Sequence, residues 1–284
     1  MQKTELKSLI EQTGYTLNCA SLDVSATYLP DGRLSAEYPG VTIESFFIRN
    51  ESSPYLYVLF SGARDPKRHP LPKFDRWSWG EKFNASILCI SDPTLELDKD
   101  LHIGWYLGTK ENNYMTHIAS WVSFVAQNLG ISQEKVITYG SSAGGFASIM
   151  LTYHLEKSVA IAINPQLNVF RYFPRFVEAY LDCAYAGKRQ QDLTTHEYAR
   201  FDAIAAIQSR PKTKFILAQN IQDGFHYKNH FSQLCKALNI PNDPKKFATI
   251  RAKNITTILF DSPNGHGSEP IELVPALVSL ATGN

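Results

Sequence analysis

The segment 140–144, Gly-Ser-Ser-Ala-Gly, constrains the fold of this chain more than any other. It follows residues 135–139, a β-branched run that predicts a buried strand, and it precedes residues 145–154, which predict a packed helix. Glycines on either side of Ser142 permit a tight turn from strand to helix, which bulkier side chains would block. The segment therefore predicts a strained turn that lifts the Ser142 hydroxyl above the edge of a sheet.

Six nearly continuous apolar segments predict parallel strands that are covered on both faces. They span residues 55–60, 85–90, 135–139, 159–163, 214–218 and 256–260. Helices are predicted over 4–12 and 115–129, and early antiparallel strands over 16–20 and 41–48. This alternation predicts an α/β fold with a mostly parallel, doubly wound sheet, in which functional groups gather at the carboxyl ends of strands. Without an internal repeat or a low-complexity linker, residues 1–284 are predicted to form one domain.

One interval, residues 165–211, departs from this alternation. It carries helical, aromatic-rich sequence with no strand pattern. One interpretation is a connecting helix pair whose aromatic side chains belong to the core. The other is a helical lid over an active site, with some aromatic side chains lining a pocket. The interval is long for a simple crossover, and this favours the lid.

Composition argues against several classes of partner. Lys and Arg number 28 and Asp and Glu 27, so the net charge of +1 gives no indication of nucleic acid or an acidic membrane as a partner. The first residues lack the apolar core of a signal peptide, and no apolar run reaches membrane-spanning length. Cys19, Cys89, Cys183 and Cys235 are scattered without metal spacing, and the first two lie in strand-like segments as predicted buried thiols. A soluble, cytoplasmic protein is the expectation.

Two further residues have the types and positions that, together with Ser142, would support nucleophilic catalysis. Asp223 lies on the loop after the predicted strand 214–218, and His266 lies between two glycines on the loop after 256–260. Serine, aspartate and histidine in this chain order, each at the exit of its own strand, are typical of a nucleophile, an orienting acid and a general base. The pattern predicts Ser142, Asp223 and His266 as catalytic residues.

Other residues could fill parts of these roles. Asp261 could be the acid, although it would then share a loop with His266. His226 and His230 lie near Asp223 at helical spacing, and the three together could bind a metal. They lack a third histidine or a recognised motif, so we expect no metal there, and His226 is expected to line the rim of a pocket. Ser141 is off-centre in the Gly-x-Ser-x-Gly spacing.

An oxyanion would need two inward-facing amides. One is expected from Ala143, directly after the nucleophile. The other is expected from Gly62 or Ala63, on the loop after the strand 55–60, where glycine allows the backbone a close approach. This loop lacks the His-Gly pattern of many lipases and esterases.

Substrate contacts are expected from one arginine and two aromatic loops. Arg64, at a strand end beside the turn, could bind a carboxylate or phosphate, or could form a structural salt bridge. Trp105 and Tyr106 follow the next strand, and residues 67–79 mix cations with two tryptophans. Aromatic faces beside donors would suit a sugar ring, although tryptophans more often anchor loops to the core.

With these residues in view, the chain resembles the α/β-hydrolase superfamily from about residue 55 to its end. Segments 60–64 and 139–145 also look like bacterial hydrolase-fold proteins of surface polysaccharides, including O-acetyl esterases and O-acetyltransferases. The resemblance implies no metal and no organic cofactor. With Ser142 as nucleophile, the expected reaction is cleavage of a carboxylic or acetyl ester through an acyl-enzyme. A small molecule or a carbohydrate would carry the ester. The alternatives are an O-acetyltransferase for a bacterial surface polysaccharide or its precursor, and a catalytically silent binding or assembly protein.

Overall fold

A single twisted sheet runs through the protein. The computed structural model describes residues 2–12, 14–19, 27–242 and 249–283. Within these residues lie the strands β1 (Tyr15–Asn18), β2 (Gly32–Tyr38), β3 (Val41–Ile48), β4 (Leu56–Phe60), β5 (Ser86–Ile90), β6 (Val136–Ser141), β7 (Val159–Ile163), β8 (Lys214–Asn220), β9 (Thr249–Ala252) and β10 (Ile255–Phe260). Their order across the sheet is β1-β2-β3-β5-β4-β6-β7-β8-β10-β9.

The centre of this sheet is parallel, as the apolar runs predict. Strands β5, β4, β6, β7, β8 and β10 pair in parallel, so their carboxyl ends meet at one edge. β3 pairs antiparallel with β2 and β5, as predicted. The prediction for 16–20 is wrong in orientation, because β1 pairs parallel with β2; residue 20 lies outside the described residues. β2 and β9 were not predicted, since both mix polar with apolar residues near the ends of the sheet, and β9 has only four residues.

Helices cover both faces of the sheet. They are α1 (Lys3–Glu11), α2 (Gly80–Phe83), α3 (Tyr114–Asn128), α4 (Ala143–Leu151), α5 (Pro174–Ala184), α6 (Thr195–Ala199), α7 (Ala203–Ser209), α8 (Gly224–His226), α9 (Ser232–Leu238) and α10 (Leu273–Thr282). A π-helical turn, Tyr227–Phe231, joins α8 to α9. Single 3-10 turns lie at Pro93–Glu96, Gln133–Lys135, Val169–Arg171 and Gln190–Asp192.

Alternation along β7 shows how the two faces are filled. Ala160 and Ala162 belong to the apolar cluster under α4, α5, α7 and α9, and Ile161 and Ile163 belong to the cluster under α2 and α10. Successive side chains of a strand point to opposite faces, so a strand buried on both sides needs a continuous apolar run. The sheet is therefore fully covered at its centre, and polar chemistry is left to its edges.

The helical insertion between β7 and β8 comprises α5, α6 and α7. Three of its aromatic residues, Tyr180, Tyr185 and Phe201, are almost completely buried in the core beside α4. Phe173, directly before α5, is exposed and stacks on Phe225, which lies two residues after Asp223. Much of the aromatic content is thus core, as the connecting-helix interpretation expects, while covering of the site by residues 165–211 stays a prediction, as does the single-domain assignment.

None of the described helices is long and apolar enough to cross a membrane.

The cysteines are free thiols. Cys89 is buried, as predicted, but Cys19 is only partly buried. Cys19 follows β1, an edge strand with one face against the core, and this explains the difference.

Candidate active site

The turn at Ser142 has the strained geometry that its sequence predicts. Ser142 lies between β6 and α4 with φ 58° and ψ −119°, a region that residues with a Cβ rarely adopt. A Cβ on Gly140 would overlap the carbonyl of Gly144, and a Cβ on Gly144 would overlap the carbonyl of Phe60. The two glycines are required because β6, α4 and β4 approach one another this closely. The Ser142 side chain is therefore presented at the carboxyl edge of the sheet.

A glutamine holds the Ser142 hydroxyl. Gln166 Nε2 donates to Ser142 Oγ over 3.0 Å, and the Gln166 backbone N–H donates to the Ser142 carbonyl over 3.2 Å. The other end of this amide, Gln166 Oε1, accepts a hydrogen bond from Trp105 Nε1. Gln166 is fully buried. Sequence reasoning missed it, although a polar residue shortly after the apolar β7, at the carboxyl edge of the sheet, was a usable signal.

Asp223 and His266 meet as predicted at the same edge. Asp223 Oδ2 lies 2.5 Å from His266 Nδ1, across 43 residues of sequence. Asp223 is buried, and burial alone would raise its pKa; hydrogen bonds from His226 and His266 instead hold the pKa well below the usual aspartate value. A carboxylate that stays charged here orients the imidazole and can stabilise its protonated form.

The loop that carries His266 is fastened to the end of β8. Asn220 Nδ2 donates to the carbonyls of Ser262 (2.8 Å) and Gly265 (2.7 Å), and Asn220 Oδ1 accepts from the Ser262 N–H. Asp261, the alternative acid, is exposed and accepts a hydrogen bond from Gln222 Nε2. The structure therefore pairs His266 with Asp223.

The predicted set of three is not fully connected. Among the described residues, no hydrogen bond joins Ser142 to His266, and Ser142 Oγ accepts a hydrogen bond from Gln166 Nε2. Catalytic hydrogen bonds are often long or misaligned in a protein without substrate. The triad of Ser142, Asp223 and His266 stays a prediction, with the acid–base half already assembled.

A second histidine shares Asp223. Asp223 Oδ1 accepts from the His226 backbone N–H (3.2 Å) and lies 3.0 Å from His226 Nδ1. The rings of His226 and His266 stack in parallel, 3.8 Å apart with 5° between their planes. Burial lowers the pKa of His226, which favours its neutral form. His226 thus lies behind the predicted base and supports it, rather than at an outer rim.

The same three residues are close enough to be considered as metal ligands. Ligand atoms of Asp223, His226 and His266 all lie within 4.8 Å of one another. However, both Nδ1 atoms point at the carboxylate, and the lone pairs of two parallel rings do not converge on one point. His230, from the metal alternative in the sequence, accepts from the Leu167 N–H, and burial lowers its pKa to about 3. The donor directions fit hydrogen bonding to Asp223 better than metal coordination.

The predicted oxyanion loop is partly committed to other bonds. Three of its amides are used: Ser61 donates to Tyr106 Oη (2.7 Å), Gly62 to Asp75 Oδ2 (3.1 Å) and Arg64 to the carbonyl of His102 (2.8 Å). The prediction that named Gly62 therefore needs correcting, because its N–H is already bonded to a carboxylate. Ala63 and Ala143, the latter in the first turn of α4 where helical geometry supplies no partner, stay predicted donors.

The predicted substrate contacts are buried structural residues instead. Arg64 is 6% exposed and donates to the backbone carbonyls of Leu101, His69 and Lys99. Tyr106 is fully buried, and its hydroxyl bonds to backbone groups of Ser61 and Ile90. A guanidinium and a phenol used in this way hold loops together and present nothing to a substrate.

The predicted tryptophans differ in exposure. Trp105 is fully buried, with its N–H on Gln166, and anchors its loop, which was the alternative interpretation. Trp77 and Trp79 are partly exposed and line a surface cavity. Trp79 is approached by two cations, Arg76 at 5.3 Å and Lys82 at 4.7 Å from its ring centre.

A buried ion pair lies beneath the turn and was not predicted from the sequence. Arg76 and Glu269 form a two-point ion pair (2.9 and 2.7 Å), with side chains 8% and 0% exposed. Arg76 also donates to Ser141 Oγ, and Tyr139 Oη donates to Glu269. Burial raises the pKa of Glu269, but Arg76 and the hydrogen bonds from Arg76 and Tyr139 outweigh it and lower the pKa. The pair ties β6 to the loop after His266.

The fold that carries this site was compared with those of known proteins. No family model matches the chain, and no curated protein matches it. Among solved structures, the capsule O-acetyltransferase of Neisseria meningitidis serogroup A is 17% identical with a TM-score of 0.65, over 92% of this chain and 98% of that chain. A variant of that enzyme has been solved in complex with CoA.

Two further structures have similar folds. The acetyl xylan esterase of Paenibacillus sp. R4 is 14% identical with a TM-score of 0.57, over 100% of this chain and 99% of that chain. The glycosylation associate protein (Gap123) complex of Streptococcus agalactiae is 19% identical with a TM-score of 0.59; 85% of this chain matches 44% of that chain. At such identities the similarity establishes the fold, which is of the α/β-hydrolase type.

Proposed function

We propose that this chain is a serine-dependent acyl hydrolase that cleaves a carboxylic or acetyl ester. The observation that carries the proposal is one shared sheet edge. A serine held at positive φ between β6 and α4 lies at the same edge as a buried carboxylate bonded to an imidazole. Strain at a residue with a Cβ is retained only where the surroundings enforce it, and such positions concentrate at functional sites.

The chemistry follows from the atoms at this edge. Ser142 Oγ attacks the ester carbonyl, while His266 Nε2 takes its proton and Asp223 holds the opposite nitrogen. The oxyanion accepts hydrogen bonds from the amides of Ala143 and Ala63. The C–O bond to the alcohol breaks as His266 returns the proton to it, leaving an acyl-enzyme. Water, deprotonated by His266, then releases the acid and restores Ser142.

Acyl transfer is the second candidate. It differs only in the last step, where an alcohol replaces water. Similarity to a capsule O-acetyltransferase and an acetyl xylan esterase favours an acetyl ester on a carbohydrate for either reaction. If a CoA thioester were the donor, the thiolate would be the leaving group in the first step.

A fluorophosphonate probe tests the nucleophile first. The wild-type protein and Ser141→Ala should be labelled, whereas Ser142→Ala should not, since Ser141 only accepts a hydrogen bond from Arg76. Unlabelled wild-type protein, in a separate assay, is then given p-nitrophenyl acetate, acetylated xylan, or acetyl-CoA with deacetylated polysaccharide, and the products are identified. Free acetate supports hydrolysis, and O-acetylated polysaccharide supports transfer. Folded wild-type protein that is neither labelled nor active would show a catalytically silent binding protein instead.

A further inference from the structure

One of the three amides predicted for the oxyanion site, that of Gly62, is committed elsewhere, which leaves those of Ala143 and Ala63. Stabilising a tetrahedral intermediate takes donors at 2.7–3.1 Å from the developing charge, and this is commonly the largest catalytic term. The Gly62 N–H is bonded to Asp75 Oδ2, which also lies 2.5 Å from Lys73 Nζ. The carboxylate is thus charge-stabilised in its place and does not readily give up the amide. A side-chain donor near Ser142 would add to the two remaining amides.

Gln166 is such a donor, and its orientation is fixed. An amide can present either its oxygen or its NH₂ group to a neighbour. The Trp105 indole can only donate, so it takes Gln166 Oε1 and turns Nε2 towards Ser142 Oγ. The side chains of Trp105 and Gln166 are both fully buried, so water does not compete for these bonds. As a result, the Gln166 Nε2 group points an N–H at the nucleophile.

In the resting state this bond occupies one lone pair of the attacking oxygen, which can still donate its proton to a base. The bond becomes useful once Oγ is attached to the acyl carbon, because the oxyanion and Oγ are then bound to the same carbon. Gln166 is fully buried in the resting site, so Oγ has to rotate as the acyl bond forms and uncover Nε2. The donor then moves from the weakly basic ester-type Oγ to the strongly accepting O⁻.

We propose that Gln166 is a catalytic oxyanion donor, preset by Trp105, that shifts from Ser142 Oγ to the oxyanion as the acyl bond forms. The inference rests on the proposed function, since it needs Ser142 as nucleophile. It assigns Gln166 a contact with the reacting atoms and Trp105 a positioning role.

The test uses steady-state kinetics with p-nitrophenyl acetate on the full chain. Gln166→Met keeps the length of the side chain and removes the donor, so kcat should fall roughly 10²–10³-fold with KM little changed. Trp105→Phe keeps a ring in the core and frees the amide to rotate, so kcat should fall roughly tenfold, as expected for one hydrogen bond. Gln219→Met is the matched control, because Gln219 is equally buried and donates to the carbonyl of Asn220; its kcat should stay within about threefold of wild type.

The outcomes are distinct. Complete fluorophosphonate labelling of Gln166→Met with the expected loss of kcat supports the inference. An unchanged or increased kcat in Gln166→Met overturns it, because the amide would then only restrain the serine. If Gln166→Met fails to fold, Trp105→Phe decides by the same criterion. Failure of the proposed function looks different: the wild-type protein itself is unlabelled and inactive.

Discussion

The two halves of the site are built in contrasting ways. The nucleophile half is local and buried: Ser142 is 8% exposed, and its geometry is set by glycines two residues away on each side. The base half is distant in sequence and open at its histidine: Asp223 and His266 are 43 residues apart, and the His266 side chain is 39% exposed although Asp223 is buried. One half depends on main-chain geometry, and the other on side-chain clamps between loops.

This contrast matches the chemical role proposed for each half, nucleophile and base. A nucleophile has to be presented at one fixed point, and rigid, strained backbone achieves this. A base has to exchange a proton with the serine and then with the alcohol or water, so a half-exposed ring on a fastened loop suits it. We expect the two halves to respond differently to substitution, with activity lost in both and stability lost mainly on the buried side.

The largest effect is expected at the nucleophile itself. Ser142→Ala should lower turnover of an ester substrate roughly 10⁴-fold or more while leaving the folded state intact. Ser141→Ala removes only the acceptor for Arg76 and should keep most of the activity. Stopped-flow or long-incubation assays with p-nitrophenyl acetate measure both. Near-wild-type turnover in Ser142→Ala would contradict the proposed mechanism.

On the base side, Asp223→Asn should lower kcat on the order of 10³–10⁴-fold, because the amide can favour the wrong imidazole tautomer. Asp261→Asn is the control, since its exposed carboxylate bonds to Gln222, and it should change kcat little. The same ester assay compares the two. A reversed ranking would assign the acid to Asp261 and break the link between the β8 loop and His266.

The free energy of unfolding should depend strongly on the buried ion pair beneath the turn. Glu269→Gln leaves Arg76 buried without its counter-charge, and it should lower the free energy of unfolding by about 3–5 kcal/mol. Glu178→Gln, on the exposed face of α5, should change it by less than about 0.5 kcal/mol. Urea titration measures both. Equal midpoints for the two variants would show that the buried pair is not what supports the turn.

The difference in stability between wild type and Glu269→Gln should depend on pH in a definite direction. The pKa of Glu269 is lowered in the folded protein, so its ion pair stabilises fully above the unfolded pKa of about 4.3. The stabilisation is lost as pH falls through the folded pKa. The gap between wild type and Glu269→Gln should therefore be widest near pH 7 and narrow in acid. A gap that widens in acid would contradict the direction of the pKa shift.

The same contrast explains what could be predicted from sequence. The apolar runs predicted the central strands, and the Gly-x-Ser-x-Gly spacing predicted the turn, because both depend on neighbours in sequence. Asp223 and His266 were found by their position at strand exits. Gln166 and the Arg76–Glu269 pair were not, since their partners lie up to 193 residues away. The role of Arg64 was mistaken for a related reason: the carbonyls that it binds carry no sequence signal.

The smallest effect is expected at His226, whose hydrogen bond to Asp223 and stacking on His266 can be tested separately. His226→Phe keeps a ring to stack on His266 but removes the Nδ1 bond to Asp223 Oδ1. His226 Nε2 is buried without a hydrogen-bond partner among the described residues, so its removal offsets the lost bond, and stability should change little. Activity should still fall roughly tenfold, because Asp223 is held less firmly towards His266.

His226→Asn distinguishes the two contributions of this histidine. Its amide can donate to Asp223 Oδ1 but cannot stack on His266. Recovery of kcat in His226→Asn relative to His226→Phe would assign the effect to the hydrogen bond, and a lower kcat would assign it to stacking. Wild-type kcat in both variants would mean that the open half of the site orients His266 through Asp223 and the Asn220 clamp alone.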